Sequence, residues 1–220
     1  MRDVIADYFQ LPDPLPPSPI EIPGASRADL PKLFRTLELH RGAEIGVWTG
    51  DYSREFLETD PALQLLCVDP WQIYRDYRDN NQQHRIDEKY RLACAALAPY
   101  GDRVTVIRKF SQDAAQDVPE RSLDWVYIDG NHALEFVTMD LALWGRRVRT
   151  GGIVSGHDYY HFPRPAWCHV VEAVHAYTTA MRIPQWYVLG TRHEARRSLL
   201  QHRYRSFCWV NPEWPPSRQR

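Results

Sequence analysis

Short apolar runs alternate along this chain with longer stretches whose apolar side chains recur every three or four positions. The runs predict buried strands, and the recurrences predict amphipathic helices laid against them. Strands are expected at 43–48, 64–69, 104–108, 123–129 and 153–157, and helices at 27–40, 52–57, 83–97, 112–118, 134–148 and 168–179. Leu30, Leu33, Phe34 and Leu37 share a face of the first helix, and Phe136, Val137, Leu141, Trp144 and Val148 form the stripe of the fifth. Two later runs, 186–189 and 206–210, predict a reversed terminal strand pair, with Trp186 and Tyr187 in its core. Trp209 and Trp214 are expected on the sheet edge or against a partner subunit. Strands that are apolar throughout, alternating with helices, predict an α/β fold whose parallel sheet is covered on both faces. A proline-rich segment, Leu11 to Pro23, divides an N-terminal arm (1–24) from the domain proper (25–220) and predicts an extended, semi-rigid strap.

Open parallel sheets bind ligands beyond the carboxyl ends of their strands. The first strand runs into Glu44, Gly46, Trp48 and Gly50, and the second ends at Asp69 and Trp71. Glycines at a strand-to-helix turn, followed by a carboxylate at the next strand end, are how doubly wound folds grip a nucleoside. A dinucleotide fingerprint needs a second glycine where the pyrophosphate approaches, but that position is Trp48, and the third is Asp51. A bulky ring and an added anion disfavour a diphosphate, so the pattern suits a nucleoside without phosphates. S-adenosylmethionine (SAM) is the commonest of these. Asp69 can accept from both ribose hydroxyls through strong charge-assisted bonds. The plainer alternatives are that Gly46 and Gly50 only shape the turn and that Asp69 only caps the one after it.

The remaining strand ends bring Ser111, Gln112 and Asp113, then Asp129, Gly130, Asn131 and His132, then His157, Asp158, Tyr159, Tyr160 and His161. Taken together, Ala43 to Gly50, Val68 to Trp71, Tyr127 to His132 and Gly151 to Tyr159 resemble class I SAM-dependent methyltransferases. The likeness is strongest to a small bacterial group with I-D-G-x-H and G-G-x-x-x-x-H-D motifs, and it spans roughly 33–179. It implies a Rossmann-like, doubly wound, seven-stranded sheet, mostly parallel with a reversed last strand. By the same resemblance Glu44, Gly46 and Gly50 hold the methionine part of SAM; Trp48 and Asp129 are further candidate cofactor contacts. Asp69 holds the ribose, Ser111 and Gln112 lie near the adenine, and Trp71 stacks near the nucleoside or serves as core.

Methyl transfer from a sulfonium needs alignment, and a hydroxyl acceptor must also lose a proton. His132 is the expected general base, oriented by Asp129 or Asp158, with His157 beside the acid. Asp129 and Asp158 leave adjacent strands as in catechol-type and macrolide-sugar O-methyltransferases, which hold magnesium there. Here Tyr159 replaces the asparagine that follows the second aspartate in the catechol-type enzymes. Imidazoles at 132 and 157 suit softer divalent ions, or a metal-free His–Asp pair. Asp129, Asp158 and His132 are the candidate metal ligands. Tyr159 and Tyr160 are read as walls of the acceptor pocket, and residues 74–81 as a flap or a solvated loop.

Composition narrows the partners. Twenty-seven basic against twenty-eight acidic residues give a net charge of −1, which implies no general attraction to nucleic acid or anionic lipid. The basic run of Arg192, His193, Arg196, Arg197, His202, Arg203 and Arg205 reads as a solvated helix face. Cys67, Cys94, Cys168 and Cys208 form no C-x-x-C pair and read as reduced core residues. With no signal core and no membrane-length apolar run, a cytoplasmic location is expected. The expected partner is a small-molecule methyl acceptor, with no nucleic acid and no membrane; a homo-oligomer stays open. The leading function is O-methylation of a sugar, glycoside or aromatic natural product. A nicotinamide-dependent oxidoreductase and a non-catalytic nucleoside-binding protein are the alternatives.

Overall fold

Eight strands form one sheet in a computed structural model that describes residues 3–73, 82–161, 168–196 and 204–213. The strands are β1 (Ile20–Ile22), β2 (Arg41–Ile45), β3 (Gln64–Val68), β4 (Val104–Ile107), β5 (Leu123–Ile128), β6 (Val148–Gly156), β7 (Tyr187–Leu189) and β8 (Ser206–Val210). The helices are α1 (Val4–Tyr8), α2 (Leu30–Thr36), α3 (Asp51–Thr59), α4 (Gln83–Leu97), α5 (Ser111–Asp117), α6 (Leu134–Gly145), α7 (Val170–Ala180) and α8 (Arg192–Arg196). Across the sheet the order is β1-β7-β8-β6-β5-β2-β3-β4. Every pairing is parallel except those of β8 with β6 and β7, so the last strand alone is reversed.

Strand β5 explains the two-faced core. Trp125 and Tyr127 point into one layer, with Phe34 stacked on Trp125 and Phe56 tilted against it, while Val126 and Ile128 point into the other, with Leu141 and Trp144. All six residues of β5 except Asp124 are buried, as a strand covered on both sides requires. The chain leaves β2 for β3 and β4 on one side, then returns through β5 on the other. That reversal opens a crevice beyond the carboxyl ends of β2 and β5.

Several expectations are corrected. The sheet has eight strands, not seven, because the proline-rich strap is no strap: Ile20, Glu21 and Ile22 pair with Tyr187, Val188 and Leu189. Ile5, Ile20 and Ile22 are buried, so the arm's apolar side chains belong to the core. The helix expected over 27–40 is a single 3-10 turn at Arg27–Asp29 followed by α2, and the chain turns at Glu38 with φ +55°. The fifth predicted helix ends at Gly145, and β6 already begins at Val148. Arg205 is no solvated cation; it is 7% exposed, pairs with Glu21 at 2.5 Å and lies over the Tyr159 ring. Trp209 is fully buried against Phe207 and Tyr177. All four cysteines are free, and Cys67 and Cys208 are buried as expected, whereas Cys94 and Cys168 are only half-buried. Trp214, Arg197, His202, Arg203 and the 74–81 segment lie outside the described residues. Among the described residues no helix is long and apolar enough to cross a membrane.

Candidate functional site

A cavity of about 340 Å³ occupies the crevice, within the usual size of a small-molecule site. Its floor is the turn after β2. Gly46 has φ +92°, and a methyl group there would collide with the Asp129 carbonyl, so glycine lets the ends of β2 and β5 approach. Gly50, at φ +80°, caps α3 in a left-handed conformation that costs glycine little. Between them Trp48 holds φ +55°, and across the crevice Trp71 holds φ +40°, both unusual for bulky residues.

One carboxylate locks both tryptophans. Asp69 Oδ2 accepts from the backbone N–H groups of Val47 and Trp48, each at 3.0 Å, and Oδ1 accepts from that of Trp71 at 2.7 Å. The indole of Trp71 donates to the Trp48 carbonyl at 2.8 Å. Burial raises the Asp69 pKa, opposed by these three backbone donors. Asp69 therefore does cap the turn, while its side chain still lines the cavity. Trp71 is 1% exposed and packs on Tyr90, making it chiefly a brace; Trp48 is 39% exposed and forms an open wall.

Glu44 reaches the cavity from the middle of β2, buried and accepting from the Ser53 hydroxyl. Burial pushes its carboxyl up to about 8, so it is largely protonated at neutral pH. At the far end Ser111 donates to Asp140 and accepts from the Trp144 indole at 2.7 Å, with Gln112 beside it. Burial pushes Asp140 up to about 7. Sequence reasoning missed Asp140, although a carboxylate one turn before Trp144 on an otherwise apolar stripe is the signal for it. It also missed Arg27, which lines the cavity from the 3-10 turn before α2.

The opposite rim collects the expected acids and imidazoles. His132 Nε2 lies 2.8 Å from Asp158 Oδ2 and 3.9 Å from Asp129 Oδ1. His157 Nδ1 lies 3.5 Å from Asp158 Oδ1 and 3.7 Å from Asp129 Oδ1. Burial works against charge on both imidazoles, but the two carboxylates outweigh it, raising His132 to about 10 and His157 to about 9. Burial likewise tends to raise Asp129 and Asp158, and the imidazoles prevail, holding both below the usual carboxylate range. At neutral pH the four groups thus form a zwitterionic square with no net charge. Asp129 and His132 face the cavity, whereas Asp158 and His157 stand behind them. Asp129, His132 and Asp158 each offer one donor atom within 4.8 Å of the others, a spacing that fits a metal ion. Tyr159 is buried with its hydroxyl 2.8 Å from His175 Nε2, away from the cavity wall expected of it. His161 is exposed and lies 3.5 Å from Glu172.

A family model described as a methyltransferase domain matches residues 43–159, more than half of the chain. A Staphylococcus aureus structure provisionally named a caffeoyl-CoA O-methyltransferase is similar at TM-score 0.58 and 16% identity, covering 83% of this chain and 82% of its own. A Klebsiella pneumoniae structure provisionally named an O-methyltransferase gives 0.56 at 18% identity, covering 93% and 86%. A Clostridium thermocellum structure provisionally named an rRNA-methylase gives 0.61 at 12% identity, covering 86% and 97%. At such identities the likeness shows the fold. No curated protein sequence matches the chain. The chain belongs to the methyltransferase-domain family and has the class I SAM-dependent methyltransferase fold.

Proposed function

We propose that this methyltransferase-family chain transfers the methyl group of SAM to a hydroxyl of a small acceptor, with the His132 rim handling the proton. The observation that carries the proposal is one continuous cavity joining Glu44 and Asp69 to His132. Membership of the family makes a nicotinamide-dependent oxidoreductase the weaker reading. Fold neighbours named for both small-molecule and RNA methylation leave the acceptor to the rim itself. Apart from His132, Arg27 is the one cationic side chain lining the cavity among the described residues, which favours a small acceptor over a polyanion.

In this reading the adenosyl group lies along the β2 and β3 ends, with its ribose at Asp69 and its adenine near Ser111, Gln112 and Asp140. The sulfonium methyl faces His132. Asp158 holds His132 Nε2 at 2.8 Å, so the acceptor hydroxyl gives its proton to the other ring nitrogen, Nδ1. That nitrogen must first be neutral, so turnover without added metal rises with pH toward about 10. Two carboxylates and an imidazole also suit a divalent ion such as manganese, iron, nickel, zinc or, less well, magnesium. A divalent cation held by Asp129, His132 and Asp158 would lower the pKa of an acceptor hydroxyl beside it. Its two positive charges equal those of the protons on His132 and His157, so the square takes either at the same net charge. Asp129 and Asp158 keep their carboxylates available in both cases.

Calorimetry with SAM, S-adenosylhomocysteine (SAH) and NAD, followed by methylation of an acceptor panel with and without divalent ions, tests the proposal. Binding of SAH and methylation of a hydroxylated acceptor are expected. NAD binding in place of SAH overturns the cofactor, and tight SAH binding with no turnover in any arm points to a non-catalytic nucleoside-binding protein.

A further inference from the structure

Among the described residues the walls of the cavity carry carboxyl groups at Glu44, Asp51, Asp69, Asp129 and Asp140, against the His132 imidazole and one guanidinium, that of Arg27. Arg27 is held from three sides. The Tyr52 hydroxyl donates to its backbone carbonyl at 2.7 Å, the Tyr52 ring lies 4.5 Å beneath its guanidinium, and Nη1 is 3.6 Å from Asp129 Oδ2. Its turn is fixed by a capping box, in which Ser26 N–H donates to Asp29 at 2.9 Å and Ala28 N–H donates to Ser26 at 3.3 Å. The buried Nε nonetheless has no hydrogen-bond partner, and the Asp129 contact is too long to be a hydrogen bond. The side chain as a whole is 23% exposed and lines the cavity, so its guanidinium is within a ligand's reach.

Resting on the reading of this cavity as an adenosyl-cofactor site, we infer that Arg27 recognises the α-carboxylate of the methionine moiety. That carboxylate is the only anionic group SAM carries. Asp51, Asp69 and Asp129 would repel it along the walls, and of the two cations lining the cavity among the described residues His132 is already paired with Asp158 at 2.8 Å, which leaves Arg27. The guanidinium fork matches a carboxylate in geometry, and the stacked Tyr52 ring fixes its plane before the ligand arrives. The cofactor's ammonium and sulfonium then fall among the acids, and the ribose at Asp69. Arg27 is therefore a specificity residue that separates SAM and SAH from adenosyl thioethers lacking the carboxylate, and the N-terminal segment supplies it.

The test compares SAH with S-adenosyl-3-thiopropylamine, which is SAH without its carboxylate, by calorimetry on the full chain. Wild type is expected to prefer SAH, and Arg27→Met to weaken SAH roughly 10- to 100-fold while leaving the amine within about twofold. Arg27→Lys, which keeps the charge and loses the fork, is expected in between. Equal loss of both ligands in both variants makes Arg27 a structural residue and overturns the inference, as does no loss of either. If wild type binds neither ligand, the cofactor reading itself falls; if it binds both without preference, only the Arg27 assignment does.

Discussion

The two ends of the cavity are built by opposite means. At the β2–β3 end, Asp69 and Ser111 are satisfied by neighbouring backbone and side-chain groups, so the polar groups hold a fixed shape. At the β5–β6 rim, four ionisable groups face one another at 2.8 to 3.9 Å, and the arrangement depends on their protonation. Under the proposed function, a cofactor common to many reactions is served by the fixed end, and proton handling by the responsive one.

The largest effect expected comes from breaking the fixed end. Asp69→Ala leaves three backbone donors without their acceptor, at about 1–3 kcal/mol each, and frees two strained tryptophans. SAH binding should vanish in calorimetry, with a large fall in melting temperature. A melting temperature equal to wild type would show that Asp69 does not brace this loop.

Breaking the rim should separate chemistry from binding. Asp158→Asn removes the orienting carboxylate 2.8 Å from His132. Turnover on the acceptor found by the panel should fall about 100-fold or more, with SAH affinity within about threefold of wild type. Equal losses in both would place Asp158 in the cofactor's support.

The rim should also write itself into stability against pH. His132 and His157 have folded-state pKa values of about 10 and 9, above the unfolded value of about 6.5. The stability they give is fully present below about pH 6.5 and is lost as pH rises toward 10. Asp129 and Asp158 are lowered, so theirs is present above about pH 4 and lost on acidification. Glu44, raised to about 8, destabilises as pH climbs from about 4.5, so the alkaline decline is not the rim's alone. Thermal melts of His132→Gln isolate the rim, and an alkaline slope as steep as wild type would remove His132 from the network.

The smallest effect belongs to the open wall. Trp48→Gly relieves a positive φ on a bulky residue but adds freedom to the unfolded chain, so stability should stay within about 1 kcal/mol. SAH should weaken roughly two- to tenfold through loss of ring contact. Unchanged affinity would mean the indole does not touch the cofactor.

The same contrast governs what the amino-acid sequence disclosed. Strands β2, β3, β4, β5, β7 and β8 were legible to within a few residues because continuous apolar runs between turn residues have few other uses. Asp69, Asp129, His132, His157 and Asp158 were legible as neighbours because a parallel sheet gathers its strand ends. Strand β1 was hidden because prolines at 19 and 23 speak against a central strand and allow an edge one. Arg27 was hidden because a short turn carries no periodicity to say which way its side chain faces. Sequence could place His132 beside its acids, but not foresee that two carboxylates would raise it so far.

Strand β1 forms one margin of the sheet. Its residues 20 and 22 face β7, through bonds such as Ile20 N–H to Trp186 and Gly190 N–H to the Ile22 carbonyl. Positions 19, 21 and 23 are then turned outward, and two of the three are prolines. Only Glu21 presents an amide hydrogen along that margin, so another extended chain finds no ladder to continue. The sheet resists growth from molecule to molecule at this margin, and among the described residues its other edge is β4.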